Sequence, residues 1–439
     1  MQWSHHILIN HNKETPMSDS NVIGINDLGI ISDPLTDMLK EGAQKLLSAA
    51  LEAEISSVLS KYSDLKDSSG KQQVVRNGYL PERTVQTGIG DVSVQVPRIR
   101  DRSGNNVQFH SSLIPPYLRR SKTIEELLPV LYLKGISTGD FADALESLLG
   151  KKASGLSANT ISRLKSTWKD EHEAWQRRDL SIKSYVYFWV DGVYIQARGD
   201  TDKQCLLVIV GADTLGKKEV VAIGDGYRES SQSWKEVLLD LKQRGLTVAP
   251  KLAIGDGAMG FWSALQEVYP QTQMQRCWVH KTMNLLNYFP KSMHAKVKDN
   301  IHNIWMAENK KDAKKAFDYF IKCYKDKYPK AAKCLDKDRD TLLTFFDFPA
   351  KHWLSIRSTN VIESVFATVK LRTARTRGCL SRNTGLIMVF KLIMSAQKRW
   401  KKLHGSHHCA EIIKGVSFMD GIKVDRNRNI AQERLINAA

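Results

Sequence analysis

Three acids, Asp191, Asp256 and Glu363, have the type and setting to do chemistry. Asp191 ends the apolar run Tyr185-Val186-Tyr187-Phe188-Trp189-Val190 and opens Asp191-Gly192-Val193-Tyr194. Asp256 ends Leu252-Ala253-Ile254-Gly255 in the same way, and Glu363 closes Ser358-Thr359-Asn360-Val361-Ile362-Glu363 at the head of an amphipathic helix. Two acids at strand ends and one on a helix can hold two hard divalent cations, Mg²⁺ first among them. Two such ions activate an attacking oxygen and stabilise a leaving one, which suits phosphodiester chemistry. Mutual repulsion raises the pKa of gathered carboxylates, so cation binding should be weak until substrate phosphate adds ligands. Plainer readings stay open beside this one. Asp-Gly is also a turn pair, and Asn360-Val361-Ile362-Glu363 also fits a capping box with Asn360 as N-cap. Asp225, in Gly224-Asp225-Gly226-Tyr227, reads as a turn residue after a strand.

Two further signals lie near these acids. Cys277-Trp278-Val279-His280 is half of a zinc site, but no second close pair completes it; His404, His407, His408 and Cys409 form only a loose later cluster. A structural or DNA-positioning pair is the better reading. Between Ser364 and Ala410 there is no Asp or Glu, while ten cations occur: Lys370, Arg372, Arg375, Arg377, Arg382, Lys391, Lys398, Arg399, Lys401 and Lys402. A solvated helix face mixes signs, so a one-sign stretch following Glu363 reads as a phosphate track.

The elements that must position these groups follow from pattern. Strands are expected at Lys183–Val190, Cys205–Val210, Glu219–Ile223, Leu252–Ile254 and near Gln273–Cys277, with helices at Ser231–Arg244 and Gly260–Val268, giving a mixed α/β sheet. If the first and fourth strands are neighbours, Asp191 and Asp256 meet at one sheet edge, where open α/β sheets place ligands. Ala313, Ala316, Phe317, Phe320, Ile321 and Tyr324 form a helical stripe inside an all-helical segment that separates the second acid from the third. Upstream, a helix is expected over Pro34–Tyr62, capped by Asp33, then a β-hairpin of Thr84–Thr87 and Val92–Val96. Arg76-Asn77-Gly78-Tyr79 reads as a turn and Pro97–Arg102 as a basic tail. Helices Ser137–Leu149 and Ser157–Lys169 around a Gly150–Leu156 turn have a helix-turn-helix outline, with Asn159, Thr160, Arg163 and Lys165 on the polar face of the second helix.

With 439 residues the chain should hold two to four domains. Its net charge of +18 implies a polyanionic partner, nucleic acid before any other. The six cysteines include no Cys-x-x-Cys pair, which fits a reducing cytoplasm, and no apolar run reaches the roughly 20 residues of a membrane span. The organisation expected is a flexible tail (1–33), an N-terminal helix (34–73), a β-hairpin region (74–122), a helix-turn-helix-like DNA-binding region (123–178), a core in two parts (180–280 and 356–404) interrupted by a helical insertion (281–355), and a C-terminal tail (405–439).

Taken together, these motifs resemble the Mutator-like transposases of bacterial insertion sequences. The resemblance rests on Arg76-Asn77-Gly78-Tyr79, Arg83–Asp91 and Val96-Pro97-Arg98, then Phe188–Tyr194, Glu229–Trp234, Gly255-Asp256-Gly257, Gln275–His280 and Ser358–Ser364, all in family order. It implies an α/β fold with an RNase H-like mixed-sheet catalytic core, an all-helical insertion, and a preceding α-helical and β-hairpin DNA-binding region. It implies Asp191, Asp256 and Glu363 as catalytic metal ligands, with Mg²⁺ or Mn²⁺ as cofactor, two ions when DNA is bound. Trp234, Arg276, Cys277, His280 and Asn360 are then expected near the active site. Lys370, Arg372, Arg375 and Arg377 are expected to bind DNA with the helix Ser157–Lys169. Many members carry Arg after the third acid where this chain has Ser364, and the Arg372, Arg375, Arg377 run can supply that charge. The implied activity is strand cleavage at element ends and attack of the freed 3′-hydroxyl on new DNA. Double-stranded DNA, as terminal inverted repeats and target, is the implied partner of at least a dimer, because two ends must be held together in the bacterial cytoplasm. Two alternatives are a catalytically inactive DNA-binding relative and a hydrolytic nuclease of the same fold.

Overall fold

The computed structural model describes residues 34–134, 136, 143–145, 158–196, 203–257, 259–375 and 381–424. The chain divides into two compact units; of the described residues, 34–125 and Leu145 fall in the first and the rest, from Glu126 on, in the second.

In the first unit, α1 (Pro34–Lys61) buries Leu51 and Ile55 in its C-terminal half, whereas Leu35, Met38, Leu39 and Leu46 of the expected stripe are exposed. The hairpin forms as expected: β2 (Arg83–Thr87) pairs with β3 (Gly90–Val94), Thr87 opposite Gly90. Val85, Val92 and Val94 point from it into a small core with Leu51, Val96 and Ile114. The flanking segments differ from expectation. Val74–Tyr79 is a strand, β1, and Pro97–Asp101 is its antiparallel partner, β4. Asn77-Gly78 is an irregularity within the ladder, between the Arg76 and Tyr79 pairings, with Gly78 at φ 67°. A turn-like dipeptide here absorbs an extra residue instead of reversing the chain. Helix α2 (Lys122–Lys134) starts in the first unit and ends in the second.

The second unit is built on a five-stranded mixed sheet. Its strands are β5 (Tyr185–Ile195), β6 (Gln204–Asp213), β7 (Lys218–Gly226), β8 (Leu252–Gly255) and β9 (Gln273–Arg276), in the order β7-β6-β5-β8-β9. β5, β6 and β7 are antiparallel; β8 and β9 run parallel to β5. The central strand β5 is apolar on both faces because both are covered. On one face Phe188 and Val190 meet Trp234 and Leu238 of α4 (Ser231–Gln243) and Phe261 and Leu265 of α5 (Phe261–Val268). On the other face Tyr187, Trp189 and Val193 join a core built with the later helices. All five strands and both helices were legible from pattern, but the strands are longer than the apolar runs. Asp225 is therefore a residue of β7, opposite Leu206, and not a turn. Asp191 likewise lies inside β5, opposite Val208, and does not end it.

The helical segment comprises α6 (Trp278–Leu286), α7 (His294–Trp305), α8 (Lys310–Tyr324), α9 (Pro329–Asp336), α10 (Arg339–Leu342) and α11 (Trp353–Ile356), with 3₁₀ turns at Thr344–Asp347 and Ala350–His352. The predicted stripe of α8 buries Ala313, Phe317, Phe320 and Tyr324. This segment is tied to β5 directly: Trp189 Nε1 donates to the Ser355 carbonyl at 2.9 Å, and Tyr187 Oη lies 2.6 Å from His352 Nδ1. α12 (Asn360–Arg375) then packs against β5, and α13 (Arg382–Gln397) against β7. The expected C-terminal tail is folded as far as residue 424. α14 (His407–Ile413) buries Cys409 and Ile412, and a short hairpin, Phe418–Met419 with Ile422–Lys423, buries Phe418.

Of the expected helix pair, the first helix and the turn fall almost wholly outside the described residues. The second is α3, and it runs from Ala158 to Gln176, two turns beyond the expected end. Trp168 is buried at its core-facing side. Among the described residues no helix is long and apolar enough to cross a membrane.

Candidate functional site

Sheet register sets the two aspartates side by side. Trp189 of β5 is opposite Ile254 of the parallel strand β8, so two residues further on Asp191 and Asp256 are level. β8 stops at Gly255 while β5 continues to Ile195, which opens a split in the sheet at this height. Both residues are almost fully buried, at 6% and 7% exposure. Each accepts a backbone N–H from its following glycine: Gly192 N to Asp191 Oδ1 at 2.8 Å, and Gly257 N to Asp256 Oδ1 at 2.5 Å.

A residue that sequence reasoning passed over joins them. Arg228, in the loop between β7 and α4, donates from Nε to Asp191 Oδ1 at 3.1 Å and from Nη2 to Asp256 Oδ2 at 2.8 Å. Burial works against the charged guanidinium, but Asp191 and Asp256 outweigh it and hold its pKa above the ordinary value. Asp191 is displaced the other way. Burial raises its pKa, opposed by the Arg228 charge and the Gly192 N–H. The sequence signal was thin, a lone Arg ahead of Glu229-Ser230 with no period or motif of its own.

The expected neighbours act mostly through backbone. Trp234 Nε1 donates to the Arg228 carbonyl at 2.8 Å. Arg276 Nη1 donates to the carbonyls of Asp256 and Gly257 at 3.2 and 3.1 Å, and its guanidinium stacks 4.4 Å over Trp262. Trp262 Nε1 adds a third bond, to the Asp256 carbonyl at 2.6 Å. Gly260 permits the approach of the two loops, since a Cβ there would collide with the backbone of Glu229–Ser231, and its N–H reaches the Arg228 carbonyl at 3.2 Å.

Glu363 stands on the first turn of α12. Asn360, expected as N-cap, is the first helical residue and is exposed; the preceding Thr359 takes the capping place, its carbonyl accepting from the N–H groups of Ile362 and Glu363. The Thr359 hydroxyl lies 2.5 Å from Glu363 Oε1, 3.2 Å from Cys277 Sγ and 3.3 Å from His280 Nδ1. His280 Nδ1 is 3.8 Å from Glu363 Oε1. The hydrogen bond to Cys277 lifts the His280 pKa to about 9 against the opposing effect of burial, with the charges of Asp256 and Asp191 adding to the rise. His280 thus feels the charges of both aspartates while lying beside Glu363. Among the described residues, Cys277, His280 and Glu363 form the one group of three such side chains with ligand atoms within 4.8 Å of one another. The three acids do not make such a group themselves: the aspartates meet on Arg228, and Glu363 meets Cys277 and His280.

The cations expected on DNA are scattered. Arg163 is exposed and Lys165 half-buried on α3; Lys165 lines a small pocket with Tyr132, Trp168, Thr384, Ile387 and Met388. Asn159, Thr160 and Arg375 lie on helical backbone, but their side chains are outside the described residues, as is all of Arg377. Lys370 is exposed. Arg372 is 3% exposed, with its guanidinium 5.0 Å over the Tyr132 ring, so it builds the interior and is not a surface cation.

The model of the "Transposase, Mutator family" matches residues 23–403. The transposase for insertion sequence element IS6120 of Mycolicibacterium smegmatis is 49% identical over 307 residues, covering 70% of this chain and 94% of that protein. The transposase for insertion sequence element IST2 of Acidithiobacillus ferrooxidans is 50% identical over 280 residues, covering 64% and 95%. That for IS905 of Lactococcus lactis is 30% identical over 344 residues, covering 78% and 84%. Among solved structures, the Drosophila P element transposase strand transfer complex is similar at a TM-score of 0.22 and 11% identity, over 66% of this chain and 91% of that one, too loose a likeness to bear on the fold. With a family match of this extent and two relatives near half identity, the chain belongs to the Mutator family of transposases.

Proposed function

We propose that the second unit is an RNase H-like core performing DDE-type DNA transposition, with Asp191, Asp256 and Glu363 as its acids. The observation that carries this reading is the register of β5 and β8, which levels two buried aspartates beside a split in the sheet, with a glutamate-bearing helix packed on β5. A mixed sheet of order β7-β6-β5-β8-β9 followed by such a helix supports the RNase H-like assignment.

The donor set fits Mg²⁺ or Mn²⁺. The chain itself already seats a cation between Asp191 and Asp256, and Asp191 Oδ2 accepts no hydrogen bond among the described residues. Asp191 and Asp256 would be the principal ligands, with Glu363 joining from α12. Bound there, the ions supply Lewis acidity to the attacking and leaving oxygens of a phosphodiester. The chain's residues do the positioning. Arg276 and Trp262 fix the Asp256-Gly257 backbone, and Thr359 orients Glu363. Protonated His280 places positive charge beside the acids where phosphate would enter. Double-stranded DNA of the element's ends and target is the proposed substrate, held by at least two copies of the chain because two ends are joined in one event.

The test supplies duplexes carrying the element's terminal repeats, some precleaved to expose a 3′-hydroxyl. Mg²⁺-dependent joining to a target plasmid is expected, lost in Asp191→Asn while end binding survives. Cleavage without joining would favour a nuclease, and joining by Asp191→Asn would end the assignment.

A further inference from the structure

We propose that Arg228 is an internal counter-cation: its guanidinium holds Asp191 and Asp256 in ligand register in the absence of a divalent ion, and leaves by side-chain rotation when an ion takes the pair. This rests on the reading of the two aspartates as metal ligands. A guanidinium and a divalent cation compete for the same oxygens, and Arg228 engages one oxygen of each acid, Asp191 Oδ1 and Asp256 Oδ2, in two charge-assisted bonds. Both partners are buried, with side chains 9% and 10% exposed against 17% for Arg228, so solvent screens the contact little. Without a cation between them, two desolvated carboxylates at this spacing would repel.

The local build anchors the backbone of Arg228. The Arg228 carbonyl is held twice, by Trp234 Nε1 at 2.8 Å and Gly260 N at 3.2 Å. The side chain's stem passes Gly192, where a Cβ would stand 3.2 Å from Arg228 Cβ and Cγ and 2.9 Å from Cys205 Sγ. A fixed backbone with a stem in a glycine-walled slot suits a group that must withdraw and return without disturbing the strands. A divalent ion that bridges the pair through Asp191 Oδ1 and Asp256 Oδ2 must break these two hydrogen bonds, and Arg228 sets the threshold.

The test is Mn²⁺ titration by calorimetry of the full-length protein without DNA, in wild type, Arg228→Gln, Arg228→Lys and Asp191→Asn, with thermal melts of each. Arg228→Gln is expected to bind Mn²⁺ about tenfold tighter than wild type and to melt lower without Mn²⁺, recovering when it is added. Arg228→Lys, whose point charge cannot bridge both acids, should fall between them and covers the case in which Arg228→Gln does not fold. Unchanged or weaker Mn²⁺ affinity in both Arg228 variants, with binding lost in Asp191→Asn, overturns the counter-cation while leaving the metal site intact. Wild-type Mn²⁺ binding by Asp191→Asn overturns the metal site and the counter-cation together.

Discussion

Two arginines show how far residue type alone carries. Arg372 looked like part of a phosphate track, yet it is buried over Tyr132. Arg372→Ala should therefore lower stability by roughly 2–3 kcal/mol in urea unfolding, through lost packing and stranded partners, and leave the salt dependence of DNA binding unchanged. Arg228, which no pattern singled out, sits at the centre of the site. Its partners are 37 and 28 residues away in sequence, and only folding brings them together. The aspartates stood out because an acid closing an apolar run has few reasons to be there. Trp234→Phe keeps an aromatic ring against Phe261 but gives up the rest of the indole together with the N–H that holds the Arg228 carbonyl. A loss of about 1 kcal/mol in unfolding free energy is expected, and no loss would mean the bond holds nothing.

At the scale of elements, sheet and insertion were legible from periodicity, while the joints between them were not. Apolar runs marked the cores of β5, β6 and β7 but not their polar ends, which is why Asp191 and Asp225 appeared to lie beyond strands that contain them. β1 and β4 were hidden because a bulge imitates a turn and a charged edge strand imitates a tail. The insertion's clamp on β5 is equally nonlocal. His352 Nε2 lies 3.0 Å from the Gly405 carbonyl and so donates to it, which leaves Nδ1 to accept from Tyr187 Oη at 2.6 Å. Burial pushes the His352 pKa down to about 4, against the smaller effect of the Gly405 bond. A depressed folded pKa means the neutral ring's stabilisation is complete above the unfolded value near 6.5 and is lost as pH falls toward 4. Between pH 7 and pH 5 unfolding free energy should drop by about 2 kcal/mol from this residue, and His352→Gln should flatten that part of the profile. An identical pH profile in the variant would put the titration elsewhere.

Across the whole molecule, the net charge of +18 and the acid-free stretch after Glu363 predict binding dominated by phosphate contacts. Affinity for end duplexes should fall by about 10³ or more between 50 and 200 mM salt, and Arg163→Ala should reduce the slope of log K against log salt by about 1. A flat salt profile would contradict a phosphate track. Within this basic molecule, Asp191 and Asp256 are the proposed seat of catalytic divalent ions. Anomalous diffraction from crystals soaked in Mn²⁺ tests it most directly. A peak coordinated by Asp191 and Asp256 is expected, with the Arg228 guanidinium withdrawn from both. A peak confined to Cys277, His280 and Glu363, with Arg228 still bridging the aspartates, would contradict it.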